Sequence, residues 1–391
     1  MNEGRIEDRS SPTCGRIGIN AHLLTEGEGY RRAGVSRYIH NLLLHLCEAD
    51  PEGDYVVFVN PRSALPLSYR QKRSRLPTQK PAVRILWEQL LQPPQLLAEG
   101  IALLHSPLNV QPLFLPCKGV VTVMDLSFVV YPGSLKPLQR VYQRVFARLS
   151  ARRAARLITI SASTARDVTR FFGVPAAKTT VVFPGVDAAY RPIRDESILA
   201  SFRVRHGLPE RFILFVGTLE PRKNLVTLLQ AYAQFKRQTK TGHKLVLAGG
   251  KGWLYQPIFA AVEELGLQAD VLFPGFVAED ELPLWYNTAD VFVYPSLYEG
   301  FGLPPLEAMA CGRPVVVADT SSLPEVVGDA ALRIHPRQPA EWAAALVRVC
   351  NDASLQADLA ARALERAREF SWTRMARETV QVYREVLSGV A

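Results

Sequence analysis

The sequence predicts an α/β protein built from two doubly wound parallel sheets. Apolar, strand-like runs alternate with segments of helical apolar spacing along nearly the whole chain, the pattern of strand–helix–strand units. The alternation falls into two series, separated by the polar segment YRPIRD at 190–195. At 391 residues, 48% hydrophobic and 21% charged, the composition is that of a globular chain with room for two domains.

In the first series, RIGINAHLL (16–24) reads as a buried strand, Gly27, Gly29 and Gly34 as a loop, and SRYIHNLLLHLCEA (36–49) as an amphipathic helix. YVVFVN (55–60), ALLHSP (102–107), GVVTVMD (119–125) and LITIS (157–161) read as further strands, with a helix over 136–155. Residues 62–87 carry Arg62, Arg70, Lys72, Arg73, Arg75, Lys80 and Arg84 without an acid, and read as an exposed basic loop. VVFPGVD (181–187) closes this series. The second runs through RFILFVG (211–217), a helix near 224–238, KLVLAGG (244–250), a helix near 254–265, VLFPGF (271–276), DVFVYPS (290–296), PVVVAD (314–319) and a helix near 338–350. The expected units are a tail at 1–14, a first domain at 15–190, a second at 191–370 and a terminal helix at 371–391.

Charge is placed unevenly. Residues 1–190 hold 24 Lys/Arg against 14 Asp/Glu, and residues 191–391 hold 22 against 23, so the net charge of +9 belongs to the first half. That half is the one expected to meet an anionic partner. No apolar run reaches the length of a membrane span, and MNEGRIEDRSSPTCG does not read as a secretory signal. A cytoplasmic protein is expected. The five cysteines (Cys14, Cys47, Cys117, Cys311, Cys350) lack metal-ligand spacing and read as free buried thiols.

The functional reading centres on YPSLYEGFGLPPLEAMACGRPVV, 294–316. A strand ends in a glycine–proline turn, which opens a short helix, about LEAMA, and a second strand follows. Gly300 and Gly302 permit close backbone approach, and a helix start offers unpaired N–H groups to a phosphate. Glu299 on the turn and Glu307 in the first helical turn would repel that phosphate, but suit the hydroxyls of a sugar and a ribose. The stretch therefore suggests a nucleotide-sugar site.

It closely resembles the Glu–seven residues–Glu signature of the retaining glycosyltransferases of family 4. GVSRYIHNLL (34–43), VVTVMDLSF (120–128), LITISASTARDV (157–168), FVGTLEPRKNL (215–225) and FPGFVAEDEL (273–282) are similar to further blocks of that family, in the same order. The resemblance implies the GT-B fold, two Rossmann-like domains facing across a cleft, with a final helix near 371–387 that crosses back to the first domain and is anchored by Trp372. It implies that Arg222 and Lys223 contact the donor diphosphate, with Thr218 at a position many members fill with Arg. It places Phe301, Gly302 and Leu303 at the donor, the Gly34 loop opposite its phosphates, and backbone around Phe276 and Val277 at the base. Arg37, beside Gly34, ranks lower. Asp125 follows Met124 where many relatives carry His-Asp; it reads either as a catalytic group or as an N-cap or turn residue. His105 reads either as a cleft residue or as a satisfied core histidine. Ser161 and Gly185 are expected to line the cleft.

The expected activity is transfer of a hexose, mannose from GDP-mannose in the first place, to a hydroxyl of a glycan or lipid-linked acceptor. UDP-glucose and UDP-N-acetylglucosamine stay open as donors. Glu299, Arg222, Lys223 and Asp125 are the catalytic candidates; no Asp-x-Asp motif appears, so no metal and no cofactor beyond the donor is expected. A sugar-nucleotide epimerase and a non-catalytic nucleotide-sugar sensor are the alternatives. The absence of G-x-G-x-x-G after the first strand disfavours a dinucleotide oxidoreductase. Lys136, Arg140, Arg144, Arg148, Arg152 and Arg156 recur every fourth residue in an acid-free stretch. Such a helix is either a solvated face or a peripheral contact with an anionic membrane. Nucleic acid is not an expected partner, since no stacking aromatics interleave these charges.

Overall fold

Segments such as Ile17–Ala21, Tyr55–Val59 and Phe212–Val216 are apolar at nearly every position, which suits strands covered on both faces. A computed structural model describes residues 15–24, 34–63, 69–134 and 137–389 of the chain. The expected tail at 1–14, Gly27 and Gly29 lie outside these residues.

The first sheet contains β1 (Ile17–Ala21), β2 (Tyr55–Val59), β3 (Arg70–Arg73), β4 (Leu103–Ser106), β5 (Lys118–Val123), β6 (Arg156–Thr159) and β7 (Thr179–Val181), in the order β3-β2-β1-β4-β5-β6-β7. The second contains β8 (Phe212–Val216), β9 (Lys244–Ala248), β10 (Val271–Gly275), β11 (Val291–Tyr294), β12 (Val315–Ala318) and β13 (Leu332–Ile334), in the order β10-β9-β8-β11-β12-β13. Every pairing is parallel. Strand order reverses direction between β1 and β4 in one sheet and between β8 and β11 in the other. In open parallel sheets the crevice outside the strand ends at such a reversal is where ligands bind.

Two parts of the sequence reading are corrected and one alternative is decided. The basic segment 62–87 is not a bare loop. Arg70–Arg73 pairs with β2 as an edge strand, and Pro81–Leu86 begins a helical run. Arg70 and Lys72 are held by Glu99 at 2.8 and 2.5 Å, a partner outside the acid-free window. The thiols are not uniformly buried either: Cys311 and Cys350 are, Cys117 is half-buried and Cys47 is exposed. Finally, His105 does not face the cleft. Its Nδ1 lies 2.6 Å from the Tyr383 hydroxyl and its Nε2 2.8 Å from Thr122 Oγ1, and burial lowers its pKa to about 3. A neutral, doubly bonded core histidine results.

The helix Trp372–Ser388 opens on a Ser371 cap and lays its apolar face against the helix Val35–Ala49 and against β5 and β6 of the first sheet. Asp352, by contrast, caps Ala353–Ala367, a helix the sequence reading passed over. Trp372 is buried, and a Cβ on Gly185 would stand 2.1 Å from its backbone nitrogen, so this crossing tolerates only glycine at 185. Gly185 is thereby committed to packing and Ser161 to capping the helix Ala162–Asp167. Tyr383→Phe removes a hydroxyl and strands a buried imidazole nitrogen. Urea unfolding is expected to show a loss of about 1–3 kcal/mol with an unchanged m-value; a loss below about 0.5 kcal/mol would deny the bond a role.

Candidate active site

Two loops make the centre of the site. One follows β8 and contains the turn Pro221–Lys223; the other follows β11. Backbone and side-chain bonds stitch them together. Leu297 N donates to Arg222 O at 2.9 Å, Arg222 Nη1 to Tyr298 O at 2.7 Å, and Asn224 Nδ2 to Pro295 O at 3.2 Å. Asn224 sits in the left-handed region at φ 58°, a conformation asparagine tolerates better than most residues.

The stitching brings Glu299, Arg222 and Lys223 into one ion cluster. Lys223 Nζ donates to Glu299 Oε1 at 2.5 Å and to the Tyr294 hydroxyl at 2.6 Å, above the Tyr294 ring. Arg222 lies 3.0 Å from Glu299 Oε2 and 2.7 Å from Glu220, which also accepts from Trp253. Burial pushes the Glu299 carboxyl up, but Arg222 and Lys223 outweigh it and hold it at about 2. Glu299 is thus ionised across the neutral range and acts as an acceptor. Burial pulls the Lys223 ammonium below its ordinary pKa.

Gly300 meets the first half of the chain. A Cβ there would stand 2.2 Å from Met124 O and 2.9 Å from Asp125 Cβ, so only glycine lets the halves close at this point. Tyr298 accepts from Leu126 N and donates to Asp167, Thr164 donates to Gly300 O, and Glu325 receives Ala162 N and Ser163 N at 2.7 and 2.9 Å. Asp125 makes the turn that leads into the helix Ser127–Val130, accepting from Ser127 N and Oγ, while its charge reaches Arg222. Asp125 is thus a turn residue at the edge of the cluster.

The helix after the turn begins earlier than expected. It spans Leu303–Ala310, so Glu307 stands in its second turn and not its first. Gly302, at φ 117°, is its cap; Pro304 and Pro305 lack N–H groups, which leaves Gly302 and Leu303 as the local donors. Phe301 turns its ring into an aromatic cluster with Phe183 and Phe370, and its carbonyl is taken by Ser322. Its side chain packs the core and does not line the cleft.

Arg37, the minor candidate, occupies a central position. Its guanidinium bonds Glu307 Oε1, reaches Asp187 at 2.7 Å, lies 3.6 Å from Glu279 and stacks over Tyr190. Tyr286 donates to the other Glu307 oxygen at 2.7 Å. Asp187, Tyr286, Tyr190 and Glu220 were not singled out from the sequence. Only Asp187 and Glu220 left a trace, as acids two residues from Gly185 and Arg222. Gly34 caps the Arg37 helix, and among the described residues nothing stands within 4 Å of where a Cβ would sit. Phe276 is exposed and Val277 half-buried in the loop after β10 that brings Glu279 to Arg37. No group of three or more His, Cys, Asp or Glu is arranged to hold a metal ion among the described residues. None of their helices is long and apolar enough to cross a membrane.

The ion cluster predicts its own mutational signature. Glu299→Ala leaves two buried cations without their shared partner, and stability measured by urea unfolding is expected to fall by roughly 3–5 kcal/mol. Adding Lys223→Met should restore part of that loss; full additivity of the two substitutions would show the groups are uncoupled.

Residues 200–368 match the family described as Glycosyl transferases group 1, and residues 32–190 match Glycosyltransferase Family 4. The chain is 34% identical over 268 residues to the O-antigen chain mannosyltransferase B of Escherichia coli, covering 68% of this chain and 70% of that one. It is 31% identical over 244 residues to the serotype-specific mannosyltransferase WbdA of E. coli, covering 60% of this chain but only 29% of that longer protein. Among solved structures, the sucrose-phosphate synthase of Thermosynechococcus elongatus superposes with a TM-score of 0.76 at 22% identity, covering 96% and 100% of the two chains. Anabaena HepE in complex with UDP and glucose gives 0.70 at 20%, covering 94% and 99%. The architecture is the GT-B fold, and the chain belongs to glycosyltransferase family 4 and is a glycosyltransferase.

Proposed function

We propose that this glycosyltransferase is a retaining, metal-independent hexosyltransferase that moves mannose from GDP-mannose to a hydroxyl of a glycan or lipid-linked intermediate. The observation that carries the reading is the Arg222–Lys223–Glu299 cluster at the reversal point of the second sheet. A departing nucleoside diphosphate needs its growing charge neutralised, and the two cations with the N–H groups of Gly302 and Leu303 supply that. Glu299 then exchanges its cations for hydroxyls of the transferred sugar and orients it. Glu307 accepts from the ribose, and Arg37 yields one of its oxygens as the donor enters. The loop at Phe276 and Val277 carries the base. Asp125, which faces Gly300 from the first half, borders the reacting sugar. Mannose is favoured because relatives over 30% identical are named mannosyltransferases.

A UDP-sugar donor is the second reading, favoured by the UDP and glucose held by HepE. We further infer a cytoplasmic protein whose basic first half meets the inner membrane face. Leu86, Leu90, Leu97, Phe114 and Val141 are all more than half exposed in that half, and Val141 shares the helix Pro137–Arg153 with Arg140, Arg144, Arg148, Arg152 and Arg153.

A thermal-shift panel of GDP-, UDP-, ADP- and dTDP-sugars tests the donor. GDP-mannose at about 100 times its Kd adds about 2.7 kcal/mol to the native state, and the shift is expected to shrink in Glu307→Ala. A larger shift with UDP-sugars would transfer the assignment to the second reading. Lys223→Ala is expected to lower kcat/KM by about 10²- to 10³-fold. Chelator is expected to leave turnover intact; loss of turnover restored by magnesium would overturn the metal-independent mechanism.

A further inference from the structure

Glu220 places a second carboxylate beside a site that has to stabilise a departing anion, and the transfer reading gives it no task. Its side chain is 13% exposed. Its Oε1 accepts from Arg222 Nε at 2.9 Å and stands 2.7 Å from Nη2. Its Oε2 accepts from the Trp253 indole N–H at 3.0 Å. A negative charge in this place weakens the attraction of Arg222 for a phosphate. Glu299 already neutralises Arg222 in the empty site, so Glu220 is not needed as its counter-charge.

The arrangement is built by three local features. Pro221 confines Glu220 to extended backbone, observed at φ −148° and ψ 158°. Pairing continues past the ends of β8 and β9: Leu219 N donates to Gly250 O and Gly252 N to Leu219 O, both at 2.9 Å, with a bridge between Leu219 and Lys251. A Cβ on Gly252 would stand 2.6 Å from Thr218 Cγ2 and 3.0 Å from Leu219 O, so glycine at 252 lets the two loops zip together. The zip delivers the next residue, Trp253, onto Glu220.

Arg222 is therefore clamped twice. Tyr298 O holds Nη1 at 2.7 Å, and Glu220 holds the edge formed by Nε and Nη2. A guanidinium is planar, so bonds on separate nitrogens fix its tilt as well as its place. Nη1 also faces Glu299 Oε2 at 3.0 Å, where the transfer reading puts the donor. Both clamps lean on the first half of the chain. The Tyr298 ring lies 6.1 Å from that of Tyr131, and a Cβ on Gly133 would touch the Trp253 ring at 3.9 Å. Stabilisation of a transition state depends on donors already aimed at the place where charge develops. When the bond from the sugar C1 to the diphosphate oxygen breaks, its electron pair stays on that oxygen. The leaving group then carries a negative charge that the intact donor lacks.

We propose that Glu220 and Trp253 are positioning residues for the transfer: Glu220 fixes the Arg222 guanidinium toward the departing diphosphate, and Trp253 acts through Glu220. The inference rests on the reading of Arg222 as a contact of the leaving group and adds how its aim is set. The test compares the full chain with Trp253→Phe, Glu220→Ala and the double variant. Binding of GDP-mannose and of GDP is measured by calorimetry, with UDP-glucose and UDP as the pair if the panel favours the second reading. Free GDP carries the charge that the leaving group acquires, so the ratio of the two Kd values reads the aim of Arg222 without an acceptor. Glu220→Ala is expected to weaken GDP about tenfold or more, while GDP-mannose stays within about threefold. Trp253→Phe is expected to weaken GDP about threefold to tenfold, and to add less than about twofold in the Glu220→Ala background. Release of GDP from GDP-mannose into water is expected to slow by about the same factors. Retained GDP-mannose binding shows that the variants are folded, and Trp253→Phe alone decides if Glu220→Ala does not fold. Equal weakening of GDP and GDP-mannose would overturn the proposal, since that is the mark of a merely structural role. Tighter GDP binding in Glu220→Ala would overturn it by making Glu220 a repelling charge, and additive losses in the double variant would deny that Trp253 acts through Glu220. Wild type that binds neither pair would instead sink the donor reading and remove the foundation of this one.

Discussion

The structure depends on a buried carboxylate that two cations share. Lys223 is 6% exposed and Glu299 nearly as enclosed, so neither charge has enough water to stand alone. Their pairing is possible only if the loop after β8 and the loop after β11 are stitched together, since 76 residues of chain separate them. A backbone bond at Leu297 and side-chain bonds from Arg222 and Asn224 to the Tyr298 and Pro295 carbonyls do the stitching, and the parallel adjacency of β8 and β11 brings both loops to the same sheet edge. Desolvation that makes the cluster costly to build also makes its charges effective toward an anion.

The same logic governs the seam between the two halves. Arg37, itself largely buried, needs Glu307 and Asp187 as counter-charges, and the chain places one on each side of the cleft. Around this pair the seam is made of directional bonds rather than a broad apolar surface: Tyr298 to Leu126 and Asp167, Glu325 to the start of the 162–167 helix, and Thr164 to Gly300. Such contacts can be exchanged for ligand contacts at modest cost, whereas an apolar seam would resist opening. The Phe183–Phe301–Phe370 cluster supplies the apolar part. The two reversal points therefore face a joint whose bonds are themselves polar.

Much of the fold was legible because fully buried strands write continuous apolar runs, and β1, β2, β8, β9, β11 and β12 all fell where such runs stood. The edge strand at Arg70–Arg73 did not. An edge strand has few buried side chains, and its arginines and lysine gave it the appearance of a loop. The helix start at Leu303 was misplaced because two prolines read as a turn, although proline is well suited to the first turn of a helix. Glu299, Arg222 and Lys223 could be named beforehand because their motifs are local in the chain. Arg37's partners are distant in sequence, so nothing near Arg37 announced Glu307.

What the sequence by itself determined was the set of strands, the two-sheet class, the family motifs and the identity of the charged residues beside strand ends. These follow from side-chain period and from residues within a few positions of one another. Only the tertiary structure decided that His105 is a satisfied core residue and Asp125 a turn residue. It alone paired Arg37 with Glu307, and it alone set Trp253 against Glu220. The physical reason is that hydrogen-bond satisfaction and desolvation are properties of neighbours in space, and a parallel sheet makes neighbours of residues that lie tens to hundreds of positions apart.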